Sequence, residues 1–429
     1  MSALPSWQAI LPPPLAAQAL AVAEEIAAAL SPFRTAPGRR PEAEVSLAHG
    51  RTGAALFFAY LDRALPERGY GERALELLDE SLEKLGSSAV GTSLYGGFSG
   101  VAWVVEHFRG WLIDDDPEDP GEEAIVALRE VLDRTPWEGE FDLLGGLAGL
   151  GVYALERGPR SGARECLEKV IGHLAETACR HGGGAAWKTR ADLMPEDRPD
   201  LPGEHFNLGM AHGNPGVVAC LAEALAAGLD VRPLLAESVA WLLRQRLPPG
   251  SVSAYPYYVP PRSAPIGARL AWCYGDPGVA VALFKAGRAA AEPSWREAAL
   301  ALARGAARRR EEEAAEVRDA TLCHGTAGLA HIFNRLYQGT GDPLLGEAAL
   351  HWARRTLEMR RPGEGIAGFR TWDVDPELKI GWRSDSGFLT GLAGIGLGLL
   401  AAATAVEPAW DRVMLTSCPV ADAPRRTEP

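Results

Sequence analysis

The chain has 429 residues, 47% of them hydrophobic, and a formal net charge of −13 at pH 7. This acidic balance disfavours nucleic acid as a partner, because phosphate binding needs an excess of basic side chains. No apolar run is long and uncharged enough to cross a bilayer, and the N-terminus lacks the basic and hydrophobic regions of a signal peptide. We therefore expect a cytoplasmic protein with a large core and no membrane span.

A Gly-x-x-Gly frame recurs along the chain at intervals of 47, 49, 67, 62, 50 and 66 residues. Such spacing is too irregular for a tight solenoid but suits one helical hairpin per unit. The frames are Gly50/Gly53, Gly97/Gly100, Gly146/Gly149, Gly213/Gly216, Gly275/Gly278, Gly325/Gly328 and Gly391/Gly394. Because the repeat spans nearly the whole chain, we predict one domain over residues 15–418, a poorly ordered N-terminus over 1–14 and a disordered tail over 419–429.

Each frame leads into an apolar stretch with few charges, which predicts a helix buried on most sides. These inner helices are predicted at residues 54–65, 101–112, 150–156, 217–227, 279–290, 329–337 and 395–403. Amphipathic segments alternate with them and predict outer helices at residues 15–30, 71–85, 120–134, 162–180, 231–247, 293–313 and 342–360. Strand candidates are confined to residues 252–259.

Seven outer and seven inner helices in alternation predict an all-α fold, a closed α/α toroid whose inner helices surround a lumen. The competing architecture is an open superhelix of hairpins. An open array should end in polar repeats, whereas the last unit, residues 388–403, is as apolar as the middle ones. In a ring, glycine would permit unusual dihedral angles and close backbone approach at the narrow centre. The residues that precede each frame should then converge at one end of the ring: His49, Gly96, Gly145, His212, Tyr274, His324 and Thr390.

Two of the frames carry metal-ligating residue types. Cys273 stands two residues before Gly275, and Cys323 and His324 directly precede Gly325. Together they form a three-ligand set with one open position, which is typical of a catalytic zinc site and not of a closed structural one. The six cysteines also fit reduced thiols and a metal site better than a disulfide framework. We predict one zinc ion per chain, bound by Cys273, Cys323 and His324.

Three motifs resemble the signatures of a known family. They are His212-Gly213-Asn214-Pro215-Gly216, Trp272-Cys273-Tyr274-Gly275-Asp276-Pro277-Gly278 and Cys323-His324-Gly325-Thr326-Ala327-Gly328. In order and spacing they are similar to those of the lanthipeptide cyclases, the LanC-like family. The resemblance implies an α/α toroid with zinc held by the two cysteines and the histidine. It also implies a reaction that closes thioether rings by adding a peptide cysteine to dehydroalanine or dehydrobutyrine.

The resemblance assigns roles to further residues. Addition of a thiolate to a dehydroamino acid produces an enolate, which needs a proton at its α-carbon from a general acid. His212 is the implied acid, with Asp142 orienting it. Arg269 and Tyr274 would stabilise the enolate or position the peptide backbone.

A structural role competes with each of these assignments. His212 alone could be a satisfied histidine at a helix start, Asp142 could cap a helix, and Arg269 could pair with a carboxylate. Tyr274 and Trp272 could be packing residues in the lumen, which is the interpretation we favour for Trp272. We expect His49 and the other cysteines to be structural, the latter on helices. The long connections over residues 182–205 and 248–265 are expected to contact substrate.

Only about fifty residues precede the first repeat, so the chain resembles a stand-alone cyclase of the class I type used in lantibiotic biosynthesis. Its expected partners are a dehydrated, leader-bearing precursor peptide, a separate dehydratase and an exporter complex, through which the protein could attach peripherally to a membrane. Alternatives remain open. They are a LanC-like protein that adds glutathione to dehydroamino acids, a non-catalytic zinc-containing scaffold, and a sugar-processing α/α barrel. The last needs paired carboxylates in the lumen, where the helix starts offer mainly Asp142 and Asp276.

Overall fold

The structure is a computed structural model that describes residues 6–35, 39, 41–86, 90–115, 119–181, 183–189, 204–259, 267–374 and 379–420. Its contacts divide the chain into two compact units. The first unit comprises Met1–Glu44, Ala48–Asp79 and Ala303–Pro429, and the second comprises Val45–Leu47 and Glu80–Leu302. The predicted single domain over residues 15–418 stays a prediction.

Helices dominate the structure, and every predicted helix is present. The helices are α1 Pro13–Leu30, α2 Arg51–Ala64, α3 Tyr70–Gly86, α4 Phe98–Phe108, α5 Glu122–Leu132, α6 Leu147–Arg157, α7 Ala163–Thr177, α8 Asn214–Ala226, α9 Arg232–Leu243, α10 Asp276–Ala289, α11 Pro293–Ala307, α12 Glu312–Ala315, α13 Thr326–Thr340, α14 Pro343–Glu358 and α15 Leu392–Ala403. Only the short α12 was not expected as a separate element. Within the residues that the structure describes, 3-10 turns lie at Pro41–Glu44 and Ala409–Met414.

The apolar helices that follow the glycine frames form the core of each unit. All twelve residues of α15 are buried, whereas α5 buries only Ile125, Leu128 and Leu132. In the second unit α4, α6, α8 and α10 pack in sequence order, and α5, α7 and α9 lie against them. In the first unit α15 packs between α13 and α2, while α14 and α1 lie against α13 and α15. Inner and outer helices therefore alternate within each unit as predicted.

Close packing explains the glycine frames better than unusual dihedral angles do. Each inner helix begins directly after the first glycine of its frame, and the second glycine lies within the first turn. A Cβ on Gly278 would lie 2.5 Å from the carbonyl oxygen of Trp272, and one on Gly328 would overlap the carbonyl oxygen of Leu322. Among the frame glycines that the structure describes, only Gly275 has a positive φ, of +94°. The frame thus lets the preceding turn fold back onto its own helix.

The strand prediction was incomplete. The described part of the chain contains three two-stranded antiparallel sheets: β1 Cys179–His181 with β2 Gly184–Ala186, β3 Phe206–Asn207 with β4 Tyr258–Val259, and β5 Thr371–Val374 with β6 Ile380–Arg383. Only β4 lies in the predicted region. Strands of two to four residues are too short to show an alternating pattern, so their pairing depends on tertiary contacts.

Part of the N-terminal segment predicted to be poorly ordered is folded. Trp7 is 1% exposed and donates a hydrogen bond from its indole nitrogen to the carbonyl of Ala401 at 2.9 Å. Residues 1–5 and 421–429 lie outside the described residues, as do parts of both long connections. None of the described helices combines the length and the apolarity that a membrane span requires.

All six cysteines are free thiols, and three of those predicted to be structural are buried. Cys166 lies on α7 and Cys220 on α8, as expected for core residues on helices. Cys179 lies on β1, and Cys418 follows the last 3-10 turn, so the prediction that all of these cysteines lie on helices was wrong for these two.

Candidate active site and metal ligands

Backbone hydrogen bonds tie the turns before successive frames to one another. In the second unit the amide of Leu143 donates to the carbonyl of Ala211 at 3.2 Å, and the amide of Ala211 donates to the carbonyl of Cys273 at 3.4 Å. In the first unit the amide of Cys323 donates to the carbonyl of Leu389 at 2.9 Å. Residues far apart in sequence become neighbours because these turns stack side by side.

His212 and Asp142 form a hydrogen-bonded pair in the second unit. The Nδ1 atom of His212 lies 2.8 Å from Asp142 Oδ2, and the His212 side chain is 48% exposed while that of Asp142 is 8% exposed. The other oxygen of Asp142 accepts a hydrogen bond from the amide of Gly145 at 2.7 Å. Asp142 thus holds both its own turn and the imidazole, and its backbone hydrogen bond comes from the turn before α6 and not from an amide of that helix, so it does not cap the helix.

The pair also sets the charge of the imidazole. Burial disfavours the protonated ring, but the hydrogen bond and the charge of Asp142 outweigh it and raise the pKa of His212 above 6.5. Cys273 and Glu140 raise it further through their negative charge. Since Asp142 holds Nδ1, the Nε2 atom is the one that can exchange a proton with a ligand.

Cys273 lies beside a cation. Its Sγ atom is 3.4 Å from Nη2 of Arg269, which is half-buried. The amide of Arg269 donates to the hydroxyl of Tyr257 at 3.1 Å, so a residue of the long connection before α10 holds this turn. A guanidinium close to a thiol favours its ionised form. The structure therefore brings Arg269 next to the cysteine.

Tyr274 belongs to a cluster of three tyrosines. Its ring lies 5.3 Å from that of Tyr257 and 6.1 Å from that of Tyr258, and its hydroxyl accepts a hydrogen bond from Asn207 Nδ2 at 2.9 Å. Burial is the main reason that the pKa of Tyr274 is well above 10, and the neighbouring Tyr258 adds to it. Tyr274 therefore carries its phenolic proton at neutral pH.

In the first unit, a carboxylate and a backbone carbonyl both contact Nε2 of His324. Its Nε2 atom lies 3.2 Å from Asp319 Oδ2 and 3.1 Å from the carbonyl oxygen of Trp372 on β5. Burial would raise the pKa of Asp319, but His324 and the amides of Thr321 and Trp372 together lower it, so the carboxylate is ionised. Because Nε2 makes these contacts, Nδ1 is the ring atom that could ligate a metal.

Most of the chain matches one known protein family. The family described as lanthionine synthetase C-like protein matches residues 41–415. The chain belongs to that family. Nisin cyclase is similar in structure, with a TM-score of 0.71 and 18% identity over 92% of this chain and 96% of that one. The predicted fold class, all-α and of the α/α-toroid type, is confirmed.

Two sugar epimerases are similar to this chain in structure, with lower scores than nisin cyclase. Cellobiose 2-epimerase from Bacillus thermoamylovorans aligns over 82% of this chain and 86% of its own with 11% identity and a TM-score of 0.47. The enzyme of the same name from Spirochaeta thermophila aligns over 91% and 98% with 13% identity and a TM-score of 0.46. Scores this low carry no weight for function.

Sequence reasoning missed the polar residues that shape the turns. Asn207, Asp319 and Asp385 each stand six residues before the first glycine of a frame. Each accepts a hydrogen bond from the amide two residues on, at 2.8, 3.0 and 2.6 Å respectively. These are Asx turns, and the recurring position six residues before glycine was a signal that the sequence contained. Tyr257 and Tyr258 had no such signal, because a fold-back of the chain brings them to Tyr274.

The remaining predicted positions have structural surroundings. Trp272 is fully buried, with its ring 6.2 Å from that of Tyr95, which agrees with the packing role. His49 lies 3.3 Å from Asp385 Oδ2 through its Nδ1 atom, and Arg39 lies 2.7 Å from the same oxygen. Both contacts lower the pKa of Asp385, against the opposing effect of burial, to about 2.

Proposed function

We propose that the protein is a zinc-dependent lanthipeptide cyclase. In this proposal it forms lanthionine and methyllanthionine rings by adding peptide cysteine thiols to dehydroalanine or dehydrobutyrine in a leader-bearing precursor. The observation that carries the proposal is the His212–Asp142 pair beside Cys273, within the range that matches the lanthionine synthetase C-like family. Proton donor and thiol-handling residues of this kind are what the addition requires.

Cys273, Cys323 and His324 are the residues that would hold the zinc ion. Two thiolates and a neutral imidazole suit zinc and leave a fourth position for substrate. The contacts of His324 support this assignment, because histidine ligands of zinc donate their second ring N–H to a carboxylate or a backbone carbonyl. When bound, zinc would supply Lewis acidity that deprotonates a peptide thiol at neutral pH.

The protein's own residues would complete the addition. As the thiolate sulfur bonds to the β-carbon, the electron pair of the double bond moves through the α-carbon to the carbonyl oxygen. Protonated His212 would deliver a proton from Nε2 to the α-carbon, and Asp142 would stabilise the imidazolium through Nδ1. Tyr274, which stays protonated, and the Arg269 guanidinium are the donors available to the enolate oxygen.

A thiol assay on a dehydrated, leader-bearing precursor tests this function. The protein should consume free thiols without any change in peptide mass, because intramolecular addition is an isomerisation. Heat-denatured protein gives the spontaneous rate. A thiol loss no faster than that rate would favour the scaffold alternative. A mass gain of one glutathione per site, in its presence, would favour the glutathione-adding alternative.

Metal analysis tests the ligand set separately. The purified protein should contain about one zinc per chain, and Cys273→Ala, Cys323→Ala and His324→Ala should each lose it. Helix content should persist, because the helices have their own core. Cys179→Ala, a half-buried cysteine outside the set, is the matched control and should keep the metal. Full zinc occupancy in all three ligand variants would overturn the assignment.

A further inference from the structure

Asn207 contacts the hydroxyl of Tyr274, one of the two donors proposed for the enolate oxygen. Asn207 is 4% exposed, and its Nδ2 atom donates to that hydroxyl at 2.9 Å. Its Oδ1 atom accepts a hydrogen bond from the amide of Gly209 at 2.8 Å. Because a backbone N–H can only donate, this second contact identifies the side-chain oxygen of Asn207. The side-chain nitrogen is therefore the atom that faces the phenol.

The same position in two other frames holds an aspartate. Asp319 and Asp385 also stand six residues before a frame glycine, and each uses Oδ1 to accept the amide two residues on. The second oxygen of Asp319 lies 3.2 Å from Nε2 of His324. That of Asp385 lies 3.3 Å from Nδ1 of His49. The turn itself thus needs only one side-chain oxygen, which aspartate and asparagine both supply, and the second atom differs with the group that it faces.

A donor at position 207 sets the direction of the Tyr274 hydrogen bonds. A phenolic oxygen that accepts from Asn207 keeps its own proton for another acceptor. The hydroxyl of Tyr258 is such an acceptor, since its hydrogen bond raises the pKa of Tyr274. Burial raises that pKa most, and the hydrogen bond from Asn207 opposes the rise, so the amide makes the phenol a stronger donor. A carboxylate in the place of the amide would accept the phenolic proton instead.

Close backbone packing holds the Tyr274 ring against the turn that carries Asn207. A Cβ on Gly209 would lie 2.8 Å from Cε1 of Tyr274 and 2.5 Å from the carbonyl oxygen of Cys273. Asn207 itself pairs with Tyr258 across β3 and β4. The amide and the phenol are therefore placed by backbone contacts before any substrate binds, as a preorganised donor requires.

We propose that Asn207 is a positioning residue for the addition, which keeps the Tyr274 hydroxyl a hydrogen-bond donor to the enolate oxygen. The enolate oxygen would accept the hydrogen bond of Tyr274 in place of Tyr258, without transfer of the phenolic proton. His212 remains the source of the proton at the α-carbon. This role rests on the proposed function, whereas the orientation of the Tyr274 hydroxyl by Asn207 does not.

Exchange of Asn207 for aspartate tests the direction of this hydrogen bond in the thiol assay. Asn207→Asp keeps an oxygen that accepts from Gly209, but its second oxygen should take the Tyr274 proton. The rate should therefore fall by about tenfold, as for the loss of one hydrogen bond in the transition state. In the Tyr274→Phe background the same exchange should not lower the rate further, because the group through which Asn207 acts is gone.

NMR of protein with an isotope label at tyrosine Cζ gives a readout that needs no cyclisation. The chain has nine tyrosines, and Tyr274→Phe identifies the Tyr274 resonance by its loss. That resonance should shift in Asn207→Asp at neutral pH, because the phenol then donates to position 207. Asn334→Asp is the matched control, since Asn334 is 1% exposed and lies on α13 in the first unit. The folded control should keep the wild-type rate and the wild-type Tyr274 resonance.

Three results would overturn the positioning role. They are a wild-type rate in folded Asn207→Asp, an equal loss of rate in the wild-type and Tyr274→Phe backgrounds, and an unmoved Tyr274 resonance. If the buried carboxylate prevents folding, Asn207→Ala takes its place in the same comparison, because it removes the contact with Tyr274 without adding a charge. A shifted resonance in a protein that cyclises no precursor would refute the proposed function and leave the Asn207 contact standing.

Discussion

Two histidine–aspartate pairs in this protein differ in what surrounds them. His212 and Asp142 in the second unit, and His331 and Asp411 in the first, have similar N···O distances of 2.8 and 2.7 Å. The His212 side chain is 48% exposed, whereas that of His331 is 1% exposed. The difference between them therefore lies in the neighbours and not in the hydrogen bond.

Arg335 is the neighbour that changes the second pair. It donates to both carboxylate oxygens of Asp411, and it also bonds Glu407 and the carbonyls of Pro408 and Cys418. Because burial removes water and Arg335 already neutralises the carboxylate, the pKa of His331 is lowered. The pKa of His212 is raised. The accessible imidazole without a competing cation on its carboxylate therefore holds a proton more tightly than the buried one does.

The largest expected effect separates the two histidines by function. His212→Ala should lower the cyclisation rate by roughly 10²–10⁴-fold, the usual contribution of a general acid, without loss of zinc or of thermal stability. His331→Ala should lower the melting temperature and leave the rate of the folded protein near that of the wild type. Rates come from thiol consumption and stability from thermal unfolding. Wild-type turnover by a zinc-replete His212→Ala protein would remove the histidine from the mechanism.

The next effect concerns the arginine that makes one pair structural. Arg335→Ala leaves Asp411 buried without its charge partner, which should reduce the free energy of unfolding by about 3–5 kcal/mol. Arg68→Ala removes an exposed pair with Glu24 in the same unit and should cost less than about 1 kcal/mol. Denaturant unfolding at pH 7 measures both. Equal losses of unfolding free energy in the two variants would mean that the buried Arg335–Asp411 pair contributes no more to stability than an exposed ion pair.

A smaller effect on the rate is expected from the carboxylate that contacts His212. Asp142→Asn keeps a hydrogen-bonding group but removes the charge that favours imidazolium, so the rate should fall by about 10- to 100-fold, as for loss of a hydrogen bond between charged groups. The variant should unfold at the wild-type temperature. A rate loss as large as that of His212→Ala would indicate that Asp142 does more than orient and charge the ring.

The smallest effects are expected in two pH dependences. The catalytic rate should depend on pH through His212 and the stability through His331, with opposite signs. The raised pKa of His212 means that the ratio of the wild-type rate to the His212→Ala rate is highest at low pH and falls as pH rises through that pKa, by up to about tenfold per unit. For His331 the lowered pKa means that the unfolded chain binds a proton near pH 6.5 that the folded protein excludes. Stability should therefore fall by about 1.4 kcal/mol per unit as pH drops below that value. Stopped assays and thermal unfolding between pH 5 and 9 would show both trends, and parallel trends would contradict them.

Most of the helices could be predicted from the repeated Gly-x-x-Gly frames. Apolar stretches after each glycine pair became buried helices, as α15 illustrates, because burial of an uncharged stretch depends mainly on its own composition. The family motifs likewise identified Cys273, Cys323 and His324 as candidate ligands, since two thiols and an imidazole in like frames have few other uses. The sequence was also sufficient to nominate His212.

Only the tertiary structure decided which partner each polar group has. The spacing alone could not distinguish Asp142 from a helix cap, and the stacked turns place it against His212. Nor could the sequence assign a partner to Arg269, whose side chain folds back onto Cys273. The same holds for Asp319 behind His324 and for the tyrosines around Tyr274. Helix formation is local and follows from periodicity, whereas hydrogen bonds and pKa values depend on groups that are distant in sequence and adjacent only after folding.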